Sequence, residues 1–224
     1  DIGDNAVDLS YSSSASTAMG ATGDNSIATG NGTVASGINS TAMGEGATAS
    51  AYNSTAMGSA TTASSYASTA MGFMTTASEF ASTAMGDRTT ASGNASTAMG
   101  QTTTASSDFS TAMGHSTTAS GSASTAMGDG TAASDYASLS IGQHNLVNST
   151  VTTGGSASAF NTANAALVIG KGTSSSAKSD AFVVYFNGNA TLSGDLTINS
   201  DERLKENIQP LGSTLNKLHQ IEGK

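Results

Sequence analysis

Ser54-Thr55-Ala56-Met57-Gly58-Ser59-Ala60-Thr61-Thr62-Ala63-Ser64-Ser65-Tyr66-Ala67 is one period of a repeat that governs the first 142 residues. The pentapeptide Ser-Thr-Ala-Met-Gly occurs eight times, ending at Gly20, Gly44, Gly58, Gly72, Gly86, Gly100, Gly114 and Gly128, and from Gly44 onward the spacing is always fourteen. Degenerate copies end at Gly30 and Gly142, the latter with Ile141 in the methionine slot. Half a period later a second motif recurs, Thr-Thr-Ala-Ser, at Thr61 to Ser64, Thr75 to Ser78, Thr89 to Ser92, Thr103 to Ser106 and Thr117 to Ser120.

Fourteen residues are too few for a helix-turn-helix unit, and Ser/Thr-rich segments of four or five residues are short for a helix. Two short strands per period fit. Stacked one coil per turn, they form a parallel β solenoid with strands about 4.8 Å apart, so ten coils span roughly 45 to 50 Å. Alternation assigns the faces: Ser54 and Ala56 share one and Thr55 and Met57 the other, while Thr61 and Ala63 oppose Thr62 and Ser64. A seven-residue half-coil encloses a narrow interior that admits Ala56 and Ala63 but not Met57. The methionine column Met43, Met57, Met71, Met85, Met99, Met113 and Met127 is therefore expected to point outward. A bare stripe of this kind is a large apolar patch, and each buried Met contributes about 1.5 to 3 kcal/mol. Cyclic self-association around the column is the economical solution, giving a homotrimer with the methionines on its axis. The competing arrangement is a monomer with the methionines as its own core.

Composition narrows the function classes. Of 224 residues only 37% are hydrophobic and 10% charged, with six Phe, five Tyr, no Trp and no Cys. An ordinary globular core, a disulfide scaffold and a thiolate metal site are excluded, and no run approaches the roughly 20 apolar residues of a membrane span. The net charge of −9, with seven Lys and Arg in all, argues against a nucleic-acid partner. The chain starts at Asp1 with no signal-like segment and reads as a piece of something longer. No cofactor is implied.

The repeat Ser-Thr-Ala-Met-Gly-x-x-Thr-Thr-Ala-Ser resembles the head repeat of trimeric autotransporter adhesins of the YadA type, whose pattern is Ser-Val-Ala-Ile-Gly-x-x-Ala-x-Ala-x-Gly. The resemblance covers roughly residues 16 to 142 and implies an all-β fold: a trimeric left-handed parallel β-roll, exposed outside the cell and used in adhesion. Similar rolls occur in phage tail fibres. Three segments are expected: the roll over 1–143, a β-rich tip over 144–199, and a helical segment over 200–224. In the tip, Ala166 to Gly170, Ala181 to Phe186, Ala190 to Leu192 and Leu196 to Ile198 read as strands, with a turn at Asn187-Gly188-Asn189. Ser200-Asp201-Glu202-Arg203-Leu204-Lys205-Glu206-Asn207-Ile208 resembles the start of the intramolecular chaperone of endosialidase-type tailspikes, truncated here. That resemblance implies self-cleavage between Ser200 and Asp201, with Ser200 as nucleophile and Lys205 as its base. The alternative for this stretch is a plain amphipathic helix on which Leu211, Leu215 and Leu218 share a face.

Candidate binding residues follow from column positions. Tyr52, Tyr66 and Phe80 fall at one turn of three consecutive coils, with Tyr136 further along, forming a ladder that either stacks on sugar rings or packs against another subunit. Phe160 and Tyr185 are further aromatic candidates in the tip, where side-chain variety is greatest, so recognition is expected chiefly there. His115, His144 and His219 are isolated in sequence and suit solvated positions better than a metal site. The carboxylates Glu45, Asp87 and Asp129 share a column three coils apart, and Asp108 and Asp135 make one marginal pair without a cleft, so a glycan hydrolase is disfavoured. The leading reading is a trimeric surface or tail fibre that binds glycans or other envelope components. A purely structural shaft is the alternative, and ice binding through the Thr62, Thr76, Thr90, Thr104 and Thr118 ladder is a third.

Overall fold

The computed structural model describes residues 2–11 and 19–196. Asp1–Ser193 forms one compact unit and Gly194–Lys224 a second, of which only residues 194–196 are described. The expected helix over 200–224 and most of the expected strand at 196–198 thus lie outside the described residues.

The first unit is a parallel β solenoid. Its long strands, such as Thr55–Ser59, Thr69–Phe73 and Thr83–Asp87, stack in register so that Thr meets Thr, Ala meets Ala and Met meets Met. They belong to a 13-stranded sheet, and two-residue strands such as Thr62–Ala63 and Thr76–Ala77 form a second sheet of nine. The interior is as narrow as the seven-residue half-coil requires. Ala56, Ala70 and Ala84 from the long sheet and Ala63, Ala77 and Ala91 from the short one are fully buried, together with Ser54, Thr61 and their equivalents. The serines bend back onto their own turns, as where Ser68 Oγ donates to the Ser65 carbonyl at 2.6 Å. The inward threonine hydroxyls of Thr61, Thr75, Thr89 and Thr103 have no hydrogen-bond partner, and Ala47 occupies the same slot one coil earlier.

The repeat glycine has a steric cause. Gly58, Gly72 and Gly86 hold φ of 123°, 120° and 122°, and a Cβ on any of them would collide with the carbonyl oxygen of the next glycine in the column. The copy ending at Gly20 departs from the expected pattern. Gly20 pairs with Val34 in the short sheet, because these two residues are fourteen apart whereas Gly30 is ten away. The long strand that pairs with Ile27–Asn31 on that side is instead Val7–Tyr11.

The short sheet ends at Ala132–Ala133, and its exposed backbone is met by side chains that imitate another strand. Asn145 Oδ1 accepts from the Ala132 N–H at 2.8 Å while its Nδ2 donates to the Ala132 carbonyl at 2.9 Å. Asn148 Oδ1 accepts from the N–H groups of Ser134 and Asp135 at 2.7 and 2.6 Å. Asp135, fully buried, accepts from the Thr152 N–H and the Ala165 N–H, each at 2.7 Å. Buried amides and one carboxylate thus close the short sheet, accepting from the backbone N–H groups of Ala132, Ser134, Asp135, Thr152 and Ala165.

The long sheet does not stop there. Leu139–Gln143 pairs in parallel with Ala165–Lys171, so the segment between them is an enlarged coil. Asp180–Tyr185 and Ala190–Leu192 then add antiparallel, with the reversal at Phe186 to Gly188. The three strands read at Ala166 to Gly170, Ala181 to Phe186 and Ala190 to Leu192 are thus present, and they extend the roll's own sheet. Val168, Val183 and Ala165 form a small buried cluster against which Val147 and Tyr185 pack.

Candidate functional site

The outer face of the long sheet carries the methionines. Met57 through Met127 lie half-buried on this face and Met43 is 40% exposed, while the alanine that precedes each Met points to the sheet's inner face and is sealed. The strand register continues the column beyond Met127 through Ile141, Ile169, Phe182 and Leu192. At the other end it passes through Thr29 to Leu9. A neighbouring column runs parallel to it, threonine over most of its length but Val7 and Ile27 at one end and Leu139, Leu167 and Val184 at the other. Sequence periodicity alone could not extend the stripe past Ile141, since Ile169 and Phe182 are reached through an enlarged coil and a hairpin.

The aromatic ladder is present and faces solvent in a single chain. Tyr52 stacks on Tyr66 and Tyr66 on Phe80 with centroids 5.4 Å apart and planes within 5°. Their exposures are 43%, 46% and 53%, and Ile38, one coil earlier in the column, is exposed as well. Because the rings cover one another's faces, the ladder offers mainly edges along its length. Tyr136 is separated from the ladder by Asn94, Asp108 and Ser122, and its N–H joins the cap by donating to the Ser156 carbonyl at 2.9 Å. Phe160 is exposed and meets Phe186 edge to face at 5.3 Å, whereas Tyr185 packs on the small cluster.

The carboxylates serve structure. Asp108 Oδ1 accepts from the N–H and the side-chain amide of Asn94, Asp87 from Gln101 and Arg88, and Asp135 from the cap. Two of the histidines are not isolated. His115 Nδ1 lies 2.7 Å from Asp129 Oδ1, and His144 follows in the adjoining column, its N–H donating to the Asp129 carbonyl at 2.9 Å. The His115 contact holds the Asp129 carboxyl below its ordinary value of 3.8, with smaller help from the charges of His115 and His144. Among the described residues no three His, Asp or Glu side chains are grouped to hold a metal ion. Ser200, Asp201, Lys205 and His219 lie outside the described residues.

The family model of the YadA head domain repeat, written as two copies, matches residues 21–47, 35–61, 49–73, 77–103, 91–117 and 105–131. Successive matches are displaced by one coil of fourteen within each run, the same step that the strand register shows. No curated protein matches the chain. Residues 21–73 and 77–131 of the solenoid are thus similar to YadA head domain repeats, which are structural and adhesive elements.

Proposed function

We propose that this chain is part of a trimeric adhesin-type fibre displayed outside the cell or on a virion, with the methionine column on the threefold axis. The observation that carries the reading is the outward column itself. Thirteen rungs from Leu9 to Leu192 place a side chain at that position, and apolar residues fill all but Thr29. A single chain leaves this stripe uncovered, and copies of the same chain cover it without any new surface. Sedimentation equilibrium of the whole chain is expected to give three times the 21.9 kDa of the monomer. Met71→Asp, Met85→Asp and Met99→Asp together should prevent assembly, because three buried carboxylates per layer cannot be paired there. A monomer from the native chain would defeat the reading.

The adhesive role is supported by the repeat family, and envelope glycans are the proposed ligand class. Recognition is assigned chiefly to 144–199, where side-chain variety is greatest, since the coils repeat small polar groups that make few distinctive contacts. The C-terminal segment is proposed to start an intramolecular chaperone. In a longer chain carrying the whole of it, cleavage between Ser200 and Asp201 is expected, and Ser200→Ala or Lys205→Ala should leave the chain intact on a denaturing gel. Persistent cleavage in both variants would remove the assignment.

A further inference from the structure

Where the roll passes into the enlarged coil, a cleft of about 510 Å³ opens beside the short sheet. It is lined by His115, Asp129, His144 and Lys178, and otherwise mostly by serine and threonine, Ser120 and Ser134 among them. The chain as a whole is acidic, at −9, yet three basic or imidazole groups meet here. Lys178 is half-buried and makes no ion pair among the described residues. Asp129, the carboxylate of the cleft, is already engaged by His115 at 2.7 Å. Gly130 is required for this arrangement, since a Cβ there would strike the His144 ring. The same column holds Arg88 and Thr102 in earlier coils, and neither lines the cleft.

We propose that this cleft binds the carboxylate of an acidic sugar, between Lys178 and His144, with the sugar hydroxyls on the serine and threonine walls. A half-buried lysine that makes no ion pair among the described residues favours an anion. A cation is disfavoured by the single, engaged carboxylate. The volume lies within the range of small-ligand sites and far exceeds a bare inorganic anion, and hydroxyl-rich walls match a polyhydroxylated ligand. The inference rests on the adhesive reading and names its ligand class. It also draws on residues 115–134 of the roll as well as on 144 and 178.

The test is isothermal titration of the whole chain with a galacturonate tetramer, its methyl ester, sialyllactose and inorganic phosphate. Binding of the tetramer or of sialyllactose is expected, and which one binds identifies a uronate or a sialate source. The methyl ester, Lys178→Ala and His144→Gln should each lose about tenfold or more in affinity, the loss of one charge-assisted hydrogen bond. Lys171→Ala, outside the cleft, should bind as the native chain does, and Lys178→Arg should restore much of the loss. Equal binding of the ester, phosphate binding as tightly as the sugar, native affinity in Lys178→Ala, or no binding of either acidic sugar would each overturn the proposal. Sedimentation of the same samples separates the two readings. A trimer that binds neither sugar removes the cleft alone, and a monomer that binds removes the fibre alone.

Discussion

Every coil turns at a residue held in the left-handed region, and the chain does not always place a suitable side chain there. Asn25, Asn39 and Asn53 occupy this turn in the early coils at φ of 54°, 56° and 57°, but Ala67, Ala81 and Ala95 occupy it later at 54°, 52° and 51°. An alanine in this region costs about 1 to 2 kcal/mol, which asparagine partly avoids by local hydrogen bonding. Asn39 Nδ2 also donates to Asn53 Oδ1 at 3.2 Å, the beginning of an amide ladder up the column. Ala67→Asn, Ala81→Asn and Ala95→Asn combined should therefore raise the thermal midpoint by several degrees, as read by circular dichroism. An unchanged or lowered midpoint would show that the backbone of these turns carries no strain. The alternation rule placed Ser54, Ala56, Thr61 and Ala63 inside from sequence alone, because a period of two sorts the side chains into two faces and the narrow half-coil admits only the smaller set. It did not reveal the turn strain, which depends on φ and not on polarity.

At the scale of the element, the cap decides where the solenoid ends. A solenoid edge is a row of unpaired N–H and C=O groups that invites another strand. Asn145 answers it with one amide that both accepts from and donates to Ala132, and it also donates to the Val147 carbonyl at 2.6 Å. Asn145→Leu keeps the volume but strands buried donors and acceptors, so a loss of about 2 to 4 kcal/mol is expected in urea unfolding. Asn148→Leu should act similarly through Ser134 and Asp135. Protease cleavage should then begin within residues 144–164, and retention of native stability in both variants would show that the cap is incidental. These asparagines were not legible beforehand. Asparagine in a polar segment reads as a turn residue, and only the fold shows that Asn145, Asn148 and Asn164 are buried. The groove histidines were hidden for the same reason: His115 and His144 are 29 positions apart but two coils apart in space.

For the whole molecule, the continuous sheet is the feature that joins roll and tip. Composition changes after Gly142, and the long parallel pairing of Leu139–Gln143 with Ala165–Lys171 crosses that change without a break. The apolar column therefore belongs to both parts. If the methionines lie on a threefold axis, Ile169 and Phe182 lie on the same axis and close the assembly beyond the last repeat. Phe182 becomes an assembly residue on this argument, leaving Phe160, His144 and Lys178 to face outward. Ile169→Asp with Phe182→Asp should leave a sedimenting trimer, because the seven methionine rungs from Met43 to Met127 still cover one another. The strands Ala165–Lys171, Asp180–Tyr185 and Ala190–Leu192 should nonetheless become open to limited proteolysis and lose slow amide exchange. Met85→Asp alone should produce the opposite pattern, with exchange raised in the neighbouring coils and the tip strands still protected. Unaltered protection of the tip in the double variant would mean that Ile169 and Phe182 are not covered by another subunit, and the axis would then have to end at Ile141.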